Sequence, residues 1–196
     1  MSAPSPRVVL ASTSRYRAEL LRRLLADFDC VAPEIDETPL PDEAPAERAS
    51  RLATAKASAV SKSLGGALVI GSDQVAELDG RVLRKPGEFA IARQQLRACS
   101  GREVRFHTAV CVIDARGEPG RGTRDLTRVQ FRQLTENEIQ RYLERERPFD
   151  CAGSFRAEGA GIALFERIDS EDPTALIGLP LIALARLLRE AGLNLP

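Results

Sequence analysis

At 196 residues, with 43% hydrophobic and 29% charged side chains, the chain suits one large domain or two closely joined lobes, and its composition excludes the disordered and fibrous classes. Lysine plus arginine and aspartate plus glutamate each total 28, so the formal net charge is zero, which argues against a nucleic-acid scaffold and for a small partner met by a local pocket. No apolar run approaches the roughly 20 residues that span a bilayer, and MSAPSPR lacks the apolar core of a signal peptide, so a cytoplasmic protein binding neither membrane nor nucleic acid is expected.

In chain order, residues 8–11 read as a short buried strand, and Leu20, Leu21, Leu24 and Leu25 recur at helical spacing just beyond it. Between them lie Ser12, Thr13, Ser14, Arg15, Tyr16 and Arg17. Where a strand ends in hydroxyls and arginines as a helix begins, free backbone N–H groups, the positive end of the helix dipole and guanidinium groups converge, which makes an anion site. A helix N-cap at Ser14 with solvated arginines is the plainer reading of the same residues. A short strand at 29–32 then leads into PEIDETPLPDEAP, where prolines 39, 41 and 45 prevent a continuous helix. Most carboxylates of this loop are expected in solvent. Asp36 or Glu37 is the alternative, as a ligand for a divalent cation, and spacing does not choose between them.

Residues 45–63 should form a helix, in which Lys56 taken alone reads as a surface lysine. Residues 67–70 read as a buried strand that delivers Gly71, Ser72, Asp73 and Gln74 at its end. Residues 75–78 and 81–83 read as a hairpin around Asp79-Gly80. A helix is expected over 88–99 with Ile91, Leu96 and Ala98 inward and Gly101 as its C-cap. Strands are expected over 104–113 and 124–134 around the turn-rich segment 116–122, and Thr135 to Glu138 is a capping box opening a helix to about Arg145. Gly153, Gly159 and Gly161 mark a loop facing a ligand, followed by a strand over 162–165 and a last helix over 181–191. Cys30, Cys99, Cys111 and Cys151 form no C-x-x-C pair and read as small, mostly buried hydrophobes, and the single histidine, His107, reads as structural or surface. Acid or base chemistry therefore falls to carboxylates.

Five segments share one further property. The serine–arginine stretch at 12–17, E-x-D-E-T-P at 34–39, R-L-A-x-x-K at 51–56, G-S-D-Q at 71–74 with R-K-P at 84–86, and A-G-S-F-x-x-E-G-x-G at 152–161 with D-P-x-x-L-I-G-L-P at 172–180 together resemble the Maf family of nucleoside triphosphate pyrophosphatases, in the family's order and across nearly the whole chain. The resemblance implies a single domain over 1–196, an α/β fold with a central mixed β-sheet flanked by helices, and two lobes with a nucleotide cleft, similar to the inosine triphosphate pyrophosphatase superfamily. Periodicity alone yields only α/β.

By the same resemblance Asp73 is the catalytic residue, as base or as metal ligand. Ser12, Ser14, Arg17, Lys56 and Lys85 bind the phosphates, and Glu37 joins Asp73 on Mg²⁺ or Mn²⁺. Relatives often carry Gly-Lys-Pro where this chain has Arg84-Lys85-Pro86. A homodimer is suggested by the family and marked by no stretch of the sequence.

Tyr16, Gln74 and Glu158 replace the arginine, threonine and glutamine usual in the dTTP- and UTP-directed group, and the set resembles the branch that hydrolyses 7-methyl-GTP. A positively charged N7-methylguanine favours an aromatic face, and a carboxylate accepts from guanine N1–H and the 2-amino group, donors that thymine and uracil do not offer as a pair. Two alternatives stand beside this reading: a dTTP/UTP pyrophosphatase, and a non-enzymatic nucleotide-binding regulator of cell division.

Overall fold

The computed structural model describes residues 6–115 and 120–195. The first five residues of MSAPSPR and residues 116–119 of the turn expected at 116–122 lie outside them. A mixed sheet carries the strands in the order β2-β1-β3-β5-β6-β7, with β4 paired to β3. These are β1 Arg7–Leu10, β2 Asp29–Cys30, β3 Ala67–Leu78, β4 Arg81–Leu83, β5 Glu103–Asp114, β6 Arg121–Phe131 and β7 Phe165–Asp169. Helices α1 Arg15–Leu21, α2 Pro45–Ser61, α3 Phe89–Cys99, α4 Glu136–Glu146 and α5 Leu181–Glu190 complete the α/β arrangement. The chain divides into two compact units, one of residues 1–74, 108–125 and 172–196, the other of 75–107 and 126–171.

In the first unit β1 runs parallel to both β2 and β3, with Val9 opposite Val69 and Leu10 opposite Ile70. Val9, Leu10, Leu68, Val69 and Ile70 are all fully buried, as expected of parallel strands covered on both faces. Leu20, Leu21, Leu184 and Leu188 from α1 and α5 pack in one core with Leu10, Leu68 and Ile70 on one face of these strands. Helix α1 stops at Leu21, earlier than the leucine spacing suggests. Leu24 and Leu25 follow in turns yet still lie against that core.

One expectation about β3 fails. The sequence reads as a strand over 67–70 with Gly71 to Gln74 beyond its end, whereas β3 continues unbroken from Ala67 to Leu78, so Asp73 and Gln74 sit in mid-strand. Two contacts remove the reasons for a break. The Ser72 hydroxyl donates to the carbonyls of Ala109 (2.8 Å) and Gly178 (3.0 Å), so a polar side chain is buried without loss. Gly71 is small because α2 needs the space: a Cβ there would lie 2.1 Å from the Ala53 carbonyl oxygen and 2.7 Å from the Ala57 nitrogen.

In the second unit the core is aromatic. Phe155 meets Phe106, Phe131 and Phe165 edge to face at centroid distances of 5.3, 5.6 and 4.7 Å, each pair contributing about 0.5–1.5 kcal/mol beyond its burial. The capping box of Thr135 and Glu138 forms as expected. Helix α3 buries Ala92, Leu96 and Cys99, leaving Ile91 and Ala98 exposed, so its inward face is turned by one residue from the expected one. Residues 160–164 form a 3₁₀ turn, and the strand expected over 162–165 begins only at Phe165. β7 pairs antiparallel with β6.

Cys99 and Cys111 are buried, and burial raises both thiols, Cys99 to about 12, but Cys30 is exposed and Cys151 half-buried. The His107 Nε2 lies 3.7 Å from Glu77 Oε1, in keeping with a structural role. No helix among the described residues is long and apolar enough to cross a membrane.

Candidate active site

The first unit gathers most of the sequence-predicted site residues around the end of β1 and the middle of β3. Ser12 is buried, and its Oγ accepts from the Ser14 backbone N–H at 3.1 Å, curling the chain as it leaves β1. Ser14 caps α1, its Oγ accepting from the Arg17 N–H at 3.4 Å. The plain N-cap reading of Ser14 is therefore correct as far as it goes. Arg17 is not solvated in the same plain sense: it is half-buried, and its Nε donates to the Gly178 carbonyl at 2.9 Å. Burial pushes its guanidinium below the ordinary arginine range, while the negative charges of Asp73 and then Glu37 pull it back up.

Gly178 joins these elements. Its carbonyl accepts from both Arg17 and Ser72, and its φ of 122° lies in a region that side chains disfavour. Asp172 and Thr174 build the turn that presents it. Asp172 accepts from the Thr174 and Ile182 N–H groups at 3.0 and 2.7 Å, and Thr174 Oγ1 accepts from the Leu181 N–H at 2.8 Å while donating to the Leu179 carbonyl. Reading residue types alone missed Ser72, Asp172, Thr174 and Gly178 as parts of this frame, although D-P-x-x-L-I-G-L-P carries three of them.

At the centre lies Lys56. The Gly71 contact lets α2 close on β3, and Lys56 Nζ reaches Asp73 Oδ1 at 2.6 Å and Glu37 Oε1 at 2.8 Å. The lysine side chain is 8% exposed and that of Asp73 10%, so the surface placement given by residue statistics is wrong. Glu37 comes from the proline-rich loop, which is fastened to α2. Arg48 donates to the Glu37 carbonyl at 3.0 Å, and Arg51 binds the Glu43 carboxylate and the Thr38 carbonyl. Glu43 is therefore engaged and not merely solvated, while Asp36 turns onto the Thr38 N–H at 2.8 Å. Two carboxylates thus converge on one cationic atom, a hard-oxygen pair of the kind Mg²⁺ and Mn²⁺ take alongside water and phosphate. Among the described residues no group of three or more histidine, cysteine, aspartate or glutamate side chains is placed to hold a metal by itself.

Gln74 is tied into the protein. Its Nε2 donates toward Thr108 Oγ1, the Ala175 carbonyl and the Leu176 carbonyl at 3.0, 2.9 and 3.1 Å. Tyr16 is half-buried at the start of α1, with the Arg15 guanidinium 4.8 Å from its ring centroid and donating to its hydroxyl at 2.7 Å. Lys85 and Glu158 belong to the second unit. Lys85 is exposed just past β4, and Glu158 is exposed with its Oε1 4.0 Å from Arg156 Nε.

The model of the family described as Maf-like protein matches residues 7–191. The chain belongs to the Maf-like family. Among its Maf-like relatives, a protein of Xanthomonas oryzae pv. oryzae (strain MAFF 311018) named 7-methyl-GTP pyrophosphatase is 61% identical over 97% of this chain and 100% of its own length. One of the same name from Burkholderia pseudomallei (strain 1710b) is 58% identical over 95% of this chain and 88% of its own. The fold of this Maf-like chain is similar to that of the Ham1 protein of Staphylococcus aureus, with a TM-score of 0.52, 16% identity and coverage of 94% of this chain and 99% of that one.

Proposed function

We propose that this protein hydrolyses the bond between the α and β phosphates of a nucleoside triphosphate, releasing the monophosphate and pyrophosphate, and that 7-methyl-GTP is its substrate. The observation that carries the reading is the buried Lys56 ammonium joining Asp73 to Glu37, close enough to Arg17 for both carboxylates to bear on its charge. The names of the relatives at 58 and 61% identity support it.

Water oxygen attacks the α phosphorus, the bridging bond to the β phosphate breaks, and pyrophosphate leaves with its charge neutralised by cations. Asp73 accepts the water proton. Arg17 and Lys56 bind phosphate oxygens, with Lys85 assigned the same role from its motif. Ser12 and Ser14 bring hydroxyls and the N-terminal end of α1 to the same anion. Glu37 and Asp73 would hold the divalent cation, Mg²⁺ or Mn²⁺. When bound, that cation lowers the pKa of its water and neutralises charge on the phosphates.

For the base, Tyr16 stacks on the charged N7-methylguanine. The Arg15 guanidinium 4.8 Å from the centroid of this ring supports the reading, being a planar cation held against the same aromatic face. Glu158 accepts from N1–H and the 2-amino group, and Gln74 acts as a positioning residue that braces the 175–176 segment. The reading takes the whole chain as one working domain and includes a cytoplasmic setting and a homodimer, the latter checked by light scattering.

The test is pyrophosphate release with Mg²⁺ or Mn²⁺ from 7-methyl-GTP, GTP, dTTP and UTP. Preferential turnover of 7-methyl-GTP is expected, falling by roughly 10²–10⁴-fold in Asp73→Asn. Preference for dTTP and UTP would overturn the base assignment, and no turnover of any would overturn the enzymatic reading.

A further inference from the structure

We propose that Lys56 is a built-in counterion for the Glu37–Asp73 pair, and that it must swing onto the nucleotide phosphates before a divalent cation can enter. Metal and nucleotide then bind together, and metal alone binds weakly. This rests on the reading above that Glu37 and Asp73 are the metal carboxylates.

Nζ lies 2.8 Å from Glu37 Oε1 and 2.6 Å from Asp73 Oδ1, both hydrogen-bonding distances to an ionised acceptor. Mg²⁺ takes oxygen ligands at roughly 2.0–2.1 Å, so a cation shared by those two oxygens would occupy the space of the ammonium and repel it. Both positive groups cannot fill the same space between those oxygens at once. Lysine is suited to leave, because its charge is a compact point on a flexible four-carbon stem, whereas its backbone is fixed where α2 touches Gly71. Leaving without a new partner would strand an ammonium whose side chain is only 8% exposed, and the polyphosphate is the anion that supplies one. Arg17 holds the place nearby in the resting protein, anchored on Gly178 and sensitive to the charges of Asp73 and Glu37. The exchange therefore keeps the carboxylate pair neutralised before and after the substrate arrives.

The experiment is titration of nucleotide-free protein with Mn²⁺, following the signal of the unbound ion by electron paramagnetic resonance. Lys56→Met is expected to bind Mn²⁺ at least tenfold more tightly than wild type, and Lys56→Met with Asp73→Asn to lose that gain. Equal or weaker binding by Lys56→Met, or a gain that survives Asp73→Asn, overturns the proposal. Should Lys56→Met not fold, the wild type still decides. The sequence has three lysines, Lys56, Lys62 and Lys85, so lysine-selective ¹³C labelling resolves each one. Saturating Mg²⁺ without nucleotide should require millimolar concentrations and move the Lys56 signal alone, while tight Mg²⁺ binding that leaves it in place overturns the proposal. Manganese-dependent pyrophosphate release by wild type tests the underlying reading separately. That activity can stand while the counterion role falls.

Discussion

Glu158 is carried on a turn built around one carbonyl, that of Arg156, which accepts from the Gly159 and Gly161 N–H groups at 3.3 and 3.1 Å. The Arg156 guanidinium lies 3.8 Å from Glu146 and 3.9 Å from Asp150 as well as 4.0 Å from Glu158, so its charge is shared among three carboxylates. If Glu158 reads the base as proposed, Glu158→Gln keeps the shape but gives one guanine donor an amide N–H to face. A charge-assisted hydrogen bond contributes about 1.5–3 kcal/mol, so kcat/KM for 7-methyl-GTP should fall by about 10- to 150-fold. Turnover of dTTP should be spared; an equal loss on both nucleotides would show that Glu158 does not read the base. For Tyr16→Ala the quantity to follow is the ratio of 7-methyl-GTP to GTP turnover. Stacking on a cation is worth about 0.5–2 kcal/mol, so the ratio should drop by roughly 2- to 30-fold, and an unchanged ratio excludes stacking. At this scale the motifs named Asp73, Lys56 and Glu37 from separate segments, and the fold brings these three side chains together. The sequence was misleading where burial depends on partners far along the chain. Residue statistics put Lys56 on the surface, yet Asp73, 17 positions away, holds it inside.

Among the elements, the junction of α2 with β3 sets the geometry of the first unit's site. The one-turn advance from Ala53 to Ala57 passes over Gly71 at a distance that leaves no room for a methyl group, and Lys56 projects from that turn. Gly71→Ala forces the helix off the strand. Overpacking of this kind costs about 1–3 kcal/mol, and here the nearest atoms are backbone, which cannot rotate away. A lower Tm and a loss of activity larger than the loss of folded protein are expected, since Lys56 is carried away from Asp73. Gly65→Ala is the matched control, because nothing lies within 4 Å of a Cβ there, and it should leave both quantities unchanged. If Gly71→Ala behaves like Gly65→Ala, the close approach does not position Lys56. The same junction explains why β3 was hard to read. Glycine and serine in mid-run look like a strand end, since neither favours a strand interior, and only α2 and the Gly178 carbonyl supply their reasons. By contrast, the Thr135–Glu138 capping box and the Asp79-Gly80 turn act within a few residues, and both were legible.

Across the whole molecule, charge balance hides a set of carboxylates held well below their ordinary value. Arg51 holds Glu43 down to about 2 through its hydrogen bonds. Arg97 and then Arg93 do the same to Glu136, and the Thr135 backbone N–H, the Thr135 hydroxyl and Arg132 to Glu138, each to about 2. These groups lie in both units and fasten different elements: Glu43 ties the proline-rich loop to α2, Glu136 ties α4 to α3, and Glu138 closes the α4 cap. A carboxylate whose folded pKa is depressed from 4.5 to about 2 binds its proton more readily when unfolded. Its stabilising contribution is complete above about pH 4.5 and drains away as the pH falls toward 2. Glu136 and Glu138 are open to solvent, so screening limits their contributions and salt should weaken them further, whereas the Glu43 side chain is largely shielded from water. Thermal melting followed from pH 6 to pH 2 should therefore show a nearly level Tm above about pH 5 and a decline below it. Replacing Glu136 by Gln removes the proton-linked part of its contacts with Arg93 and Arg97, so that variant should start lower and decline less steeply. A variant whose decline parallels wild type through the whole range would mean that the Glu136 contacts are absent in solution.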